Sequence, residues 1–249
     1  MSRPRLHELL SQVFETRENG LLGGLFTHED FQAFMDKHEL RIPSKDLAQA
    51  FTHTSFSHEF SVPHQEQLEF LGDSILQFIV TNELVKRFPK RQEGQLSKLR
   101  SAIVNEASLA VMASGLELGS LVIVGKGEFK KKLFEQVAVL ADTFEAVLAQ
   151  IYNFHGMDFT RSLFLNWLNL YIPNAFDENF LDVFDSKSQL QQRVLAKYKT
   201  LPRYTSENKG DQFEVTLWIN DTASAKGLFP SKKMGEKELA QEALKKEII

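Results

Sequence analysis

From Pro43 to about Trp167 the apolar residues recur every three or four positions, the period of helices that each bury one face. The pattern breaks at Pro63, at Pro89 to Gly94, at Gly115 to Gly127 and at Gly156, so a series of helices forming one all-helical domain is expected. Ahead of it, Leu6, Leu9, Leu10, Val13 and Phe14 share one helical face. Thr27-His28-Glu29-Asp30 has the form of a capping box before Phe31, Phe34 and Met35, and Gly20 with Gly23-Gly24 is expected to separate these two helices. After Pro173 a short acidic segment runs to Asp185 and the period changes. Ser188 to Lys199 and Ser231 to Glu247 have helical spacing, whereas Arg203 to Glu207, Phe213 to Ile219 and Thr222 to Leu228 alternate as strands, with a turn at Asn220-Asp221. The expected organisation is an N-terminal helical extension (1–40), an all-α domain (41–172), a linker (173–184) and a small α-β-β-β-α domain (185–249).

Composition narrows the function classes. The chain's 43% hydrophobic content and 21 Phe suit an ordinary globular protein with substantial cores. The absence of cysteine excludes disulfides, thiol nucleophiles and cysteine-ligated zinc. No run of about 18 uncharged apolar residues is present and the first residues lack an apolar leader, so a cytoplasmic protein without a membrane span is expected. The net charge of −4 is unevenly placed: residues 185–249 hold 12 Lys and Arg against 9 Asp and Glu, leaving an acidic body with a basic tail. That asymmetry suits an enzyme that holds cations and draws affinity for a polyanion from its appendage.

The most informative segment is His64-Gln65-Glu66-Gln67-Leu68-Glu69-Phe70-Leu71-Gly72-Asp73-Ser74-Ile75-Leu76. At about 100° per residue, Glu66, Glu69 and Asp73 fall within roughly 60° of arc, opposite Leu68, Leu71, Ile75 and Phe78. Phe70 projects toward the acidic side, where it either packs under a neighbouring loop or enters a partner subunit. In Val137 to Ile151, Asp142 and Glu145 stand at i and i+3 among residues of core type. Burying such carboxylates unpaired costs several kcal/mol each or forces protonation. Few basic partners stand at helical spacing, so a divalent cation, Mg²⁺ or Mn²⁺, resolves the conflict. The alternative is a solvated helix face.

These residues carry a family resemblance. Glu66-Gln67-Leu68-Glu69-Phe70-Leu71-Gly72-Asp73-Ser74 resembles the signature of the ribonuclease III family, and Leu140-Ala141-Asp142-Thr143-Phe144-Glu145-Ala146 its second acidic motif. Thr52-His53-Thr54-Ser55-Phe56, Phe88-Pro89 with Glu93-Gly94, and Gly125-Lys126-Gly127-Glu128 resemble further family segments, and the tail resembles a double-stranded-RNA-binding domain. The resemblance implies that Glu69, Asp73, Asp142 and Glu145 hold the catalytic metal, with Asp73 and Glu145 central to catalysis. It further implies that Glu66 and Glu93 lie near the scissile strand, with a role in RNA contact or around a second metal or water, and that Phe70 plugs a partner subunit across a two-fold axis. The implied activity is cleavage of double-stranded RNA by a homodimer to 5′-phosphate and 3′-hydroxyl ends with short 3′ overhangs, in the processing of precursors such as rRNA and mRNA. The sequence departs from the family at two places in the body: Gln67 replaces an arginine, and Phe129-Lys130-Lys131-Lys132-Leu133-Phe134-Glu135-Gln136 replaces a Gly- and Ser-rich stretch.

In the tail, Lys232 and Lys233 open the last helix, where ammonium groups and free backbone N–H donors suit phosphates. Gln191 in the first helix is expected to enter a minor groove. The loop Lys209-Gly210-Asp211-Gln212 lacks the Gly-Pro and His usual in such domains, which lowers the expected affinity. Gly125-Lys126-Gly127 lacks phosphate-loop spacing, so no nucleotide cofactor is expected. His53, His58 and His64 fit no common zinc pattern, and His53 is expected to cap or pack locally. The competing reading is a protein of the same fold that binds duplex RNA without cutting it.

Overall fold

The structure is a computed structural model that describes residues 5–16, 18–173, 175–176 and 186–246. The chain divides into two compact units, Met1–Ala175 and Phe176–Ile249, so the N-terminal helices belong to the first unit. Most of the expected linker, residues 174 and 177–184, lies outside the described residues.

The first unit is helical: α1 (Leu6–Thr16), α2 (Asn19–Leu25), α3 (Glu29–Lys37), α4 (Ser44–Ala50), α5 (Thr54–Phe60), α6 (Glu66–Arg87), α7 (Glu93–Ile103), α8 (Glu106–Gly115), α9 (Lys126–Lys130) and α10 (Val137–Tyr171). Short 3₁₀ turns stand at Leu118–Leu121 and Leu133–Glu135. Helix α10 packs against both α6 and α8. Their apolar faces meet through fully buried Leu76, Ile79 and Val80 of α6, Met112 of α8, and Val147, Leu148 and Ile151 of α10. The break expected at Gly156 is a single left-handed residue (φ 75°) that glycine adopts without strain, and helix resumes beyond it.

Three local expectations are corrected. The glycine-rich separator at 20–24 is helix α2, because Leu25, fully buried, anchors it to the core more strongly than its glycines weaken it. Thr27 does not cap α3: the ring of His28, one residue later, accepts the Asp30 N–H at 3.2 Å. Phe78 is not in the core but 56% exposed, on the same side of α6 as exposed Phe70 and Val85.

The second unit comprises α11 (Ser186–Tyr198), β1 (Arg203–Asn208), β2 (Phe213–Ile219), β3 (Thr222–Phe229) and α12 (Lys232–Lys245). The strands form an antiparallel sheet in the order β1-β2-β3. Asn220 and Asp221 join β2 to β3 with φ of 48° and 61°, the paired left-handed residues of a tight hairpin turn. One sheet face carries Val215, Leu217 and Ile219 against Leu190 and Val194 of α11 and Leu239, Ala240 and Ala243 of α12. At Gly235 a Cβ would lie 2.5 Å from the Phe229 ring, so glycine is what lets α12 lie this close to the sheet.

Candidate metal centre

The start of α6 is tied to α10 by Gln65. Its buried side chain accepts from the Thr143 hydroxyl at 3.4 Å, and its N–H donates to the Thr52 carbonyl at 2.9 Å. Two turns into α6, Gly72 lies directly on the α10 backbone: a Cβ there would sit 2.0 Å from the Glu145 carbonyl oxygen. This close approach places the acidic stripe of one helix beside that of the other.

Glu69, Asp142 and Glu145 come together. One carboxylate oxygen from each lies within 4.8 Å of the others, and all three residues are half-buried. Asp73 stands outside this triad, where the Gln77 side-chain amide donates to both of its oxygens at 2.9 and 2.8 Å. Among the charges acting on Glu145, Asp73 nevertheless has the largest effect.

The protonation behaviour follows from this crowding. Burial, then Asp73, Glu69, Asp142 and Glu106, push the Glu145 carboxyl up to about 8. Glu69 is raised by burial and by Asp142, Glu66 and Asp73, and Asp142 by burial and Glu106. Every named charge acting on the triad is another carboxylate. Glu83, buried about four turns beyond Glu69 on α6, has the opposite surroundings. Burial raises its pKa, but hydrogen bonds and charges from Arg161 and Arg87 outweigh that effect and lower it overall. Among the described residues, the fold supplies arginines to a structural buried acid and none to the triad. Hard oxygen donors without a basic counterpart fit a divalent cation.

The remaining expected residues are dispersed. Glu66 is exposed, 3.9 Å from the His64 ring, and raises Glu69. Phe70 is 80% exposed one residue beyond Glu69. Glu93, at the start of α7, does not join the acids; it lines a groove of about 480 Å³ with Thr81, Val85, Phe88 and Arg91. His53 caps α5 by accepting the Ser55 N–H at 3.1 Å. Glu106 went unrecognised in the sequence: it opens α8 behind the Asn105 cap, where an acid is ordinary, and only the packing of α8 on α10 brings its charge to Asp142 and Glu145.

In the second unit, Lys232 and Lys233 are exposed in the first turn of α12, which the Ser231 hydroxyl caps by accepting the Met234 N–H at 3.2 Å. The Lys232 ammonium lies 5.5 Å over the Phe213 ring. Gln191 lies on α11, and its side chain is outside the described residues. No helix among the described residues is long and apolar enough to cross a membrane.

A family model described as Ribonuclease-III-like matches residues 44–171. The chain is 39% identical over 207 residues to ribonuclease 3 of Streptococcus uberis, an alignment spanning 80% of this chain and 89% of that protein. It is 39% identical over 206 residues to ribonuclease 3 of Streptococcus pyogenes serotype M2, spanning 80% and 88%. Among solved structures, the nuclease domain of ribonuclease III from Campylobacter jejuni is similar at 33% identity and a TM-score of 0.53, covering 56% of this chain and 96% of that domain.

Proposed function

The chain belongs to the ribonuclease III family and is a ribonuclease, a hydrolase of RNA; on that premise we propose that it is a metal-dependent, homodimeric endoribonuclease that cuts double-stranded RNA. The observation that carries the metal dependence is the contrast between the triad, on which the charges acting among the described residues are all carboxylates, and Glu83, which two arginines neutralise. Glu69, Asp142 and Glu145 would hold Mg²⁺, with Mn²⁺ as a substitute, and Asp73, pinned by Gln77, would join them. Such a cation would make a bound water acidic enough to lose a proton and attack a phosphodiester as hydroxide, and would place positive charge at the leaving 3′ oxygen, giving 5′-phosphate and 3′-hydroxyl ends. Glu145, held protonated near neutral pH by burial and by the neighbouring carboxylates, would give up that proton as the site is filled.

Phe70 and the Glu93 groove support the dimer. Exposed Phe70, Phe78 and Val85 give α6 an apolar side that a monomer has no reason to keep, and the groove at the far end of that helix has walls suited to an aromatic plug. A solved structure of the Campylobacter jejuni nuclease domain describes a region involved in that domain's dimer formation. A two-fold axis across α6 would seat each Phe70 in the other subunit and carry Glu93 toward the opposite acids. Lys232 and Lys233 would bind duplex phosphates and Gln191 a minor groove, so the substrates would be structured precursors such as ribosomal and messenger RNAs.

The test is incubation of the purified chain with a labelled RNA duplex and with its single strands, in Mg²⁺ and in EDTA. Endonucleolytic products from the duplex in Mg²⁺ alone are expected. Binding of the duplex without cleavage would leave the protein as an RNA-binding relative on the same fold.

A further inference from the structure

The N-terminal helix and the loop that departs from the family sequence pack on each other. The ring of His7 lies between Phe134, at 4.5 Å, and Phe129, at 5.4 Å, and these two rings are 5.5 Å apart. Its Nε2 lies 3.0 Å from the Val122 carbonyl, and because a carbonyl only accepts, this nitrogen carries the proton. One face of α1 also sets Phe14 against Phe129 at 5.8 Å, and the Lys126 ammonium donates to the Phe14 carbonyl near the C-terminal end of that helix. Leu6, Leu10 and Val13 are fully buried. Phe129 and Phe134 thus turn inward, while Lys130, Lys131 and Lys132 between them are exposed.

Lys130 to Lys132 is the only run of three consecutive basic residues in the chain, and it lies in a body where acids outnumber bases. The loop runs directly into α10. On that helix Ala138, Asp142 and Glu145 follow one another at i, i+4 and i+7, so the loop feeds the N-terminal end of the acidic stripe, about 7 Å of helix before Asp142. A polyanion approaching this acidic face needs positive charge close by, and lysines on a loop already fixed in place lose less entropy on binding than lysines on a free one.

We propose that α1, through His7, is a clasp that holds the Lys130 to Lys132 loop as a phosphate-binding platform for the RNA duplex beside the metal centre. This rests on the reading of the protein as a duplex-RNA nuclease. His7 is a positioning residue in it and the lysines are the contacts. His7 lies outside residues 44–171, the segment that the family model matches, so the clasp joins the matched segment to the helix that precedes it.

The test uses the full chain. Binding of a fluorescently labelled RNA duplex is followed by anisotropy in EDTA over a salt series, and steady-state cleavage is followed in Mg²⁺. Replacing Lys130, Lys131 and Lys132 together by alanine is expected to weaken binding about tenfold and to flatten the log–log salt slope by about two to three units. His7→Ala leaves the lysines in place and is expected to raise KM several-fold with kcat nearly unchanged. His7→Phe, which keeps a ring between Phe129 and Phe134, should restore KM, and His7→Gln, which keeps only a donor for Val122, should not. A triple lysine variant with wild-type affinity and slope overturns the platform. A His7→Ala variant that lowers melting temperature or kcat but leaves KM alone overturns the clasp. If the wild-type chain cuts no duplex, the nuclease reading fails first; if it cuts and the lysine variant matches it, only this proposal fails.

Discussion

Gly72 of α6 and Glu145 of α10 touch through their backbones so closely that a single added carbon at residue 72 would lie 2.0 Å from the Glu145 carbonyl oxygen. The helix spacing at that point sets how near Glu69 and Asp73 come to Asp142 and Glu145. Gly72→Ala must therefore push a backbone, not a flexible side chain. We expect a cost of about 1–3 kcal/mol, a fall in melting temperature of several degrees, and a loss of cleavage of more than about tenfold. Leu25→Ala, fully buried on α2 rather than on a helix that carries the acids, serves as the control: at a similar loss of melting temperature it should keep most of the activity. Equal activity losses in the two variants would show that the contact matters only for stability.

The crowded carboxyls give the metal-free protein a pH-dependent stability. With its folded pKa raised to about 8 from 4.5, Glu145 holds a proton in the folded state that the unfolded chain has lost. The stability this contributes is complete below about pH 4.5 and disappears as pH rises through about 8; Glu69 and Asp142 act in the same direction. His7, His38 and His53 are shifted downward by burial and act the opposite way, but only at and below the ordinary histidine range near 6.5. Above about pH 7 the carboxyls are therefore isolated. In EDTA the melting temperature should fall between about pH 7 and 9, less steeply in Glu145→Gln, and saturating Mn²⁺ should remove most of the fall by occupying the ionised site. A flat wild-type profile in EDTA would count against the crowded, cation-free cluster.

Phe70→Ala should weaken the dimer, because each symmetric interface loses two plugs at once. Sedimentation at low micromolar concentration is expected to show a shift toward monomer, with the melting temperature of the monomer little changed because Phe70 is exposed in its own chain. An unchanged dimer would remove Phe70 from the interface.

Replacing Lys232 and Lys233 together by alanine should weaken duplex binding and flatten its salt slope by about one to two units, with cleavage of a saturating duplex at low salt largely retained. Both lysines are exposed in the first turn of a capped helix, so their loss should leave the second unit folded. A wild-type slope would assign phosphate binding to other residues.

Where local rules govern, the sequence was readable. Strand β2 begins and ends where alternation places it, and Asn220-Asp221 forms the expected turn, because period and turn chemistry are local properties. Glu69, Asp142 and Glu145 meet because two stripes of acids on core-type helices leave few other arrangements. Helix α2 was not legible, since glycine propensity argues against it and only the tertiary burial of Leu25 overrides that preference. The spacing of Phe78 puts it with Leu68 and Ile75 opposite the acids, but its exposure depends on what the rest of the fold leaves uncovered. Glu106 and the His7 clasp depend on residues far apart in the chain, and no local pattern encodes either.

The central claim is that the Glu69, Asp142 and Glu145 cluster holds the cation on which RNA cleavage depends. Its most direct test is single-turnover cleavage of a labelled RNA duplex in saturating Mg²⁺ by wild-type protein and by Glu145→Gln, with duplex affinity measured alongside. The amide keeps the side chain's shape and removes the charge that binds the cation. The expected result is unchanged duplex affinity with cleavage reduced by about a hundredfold or more. A Glu145→Gln protein that cuts at more than a few per cent of the wild-type rate would contradict the assignment.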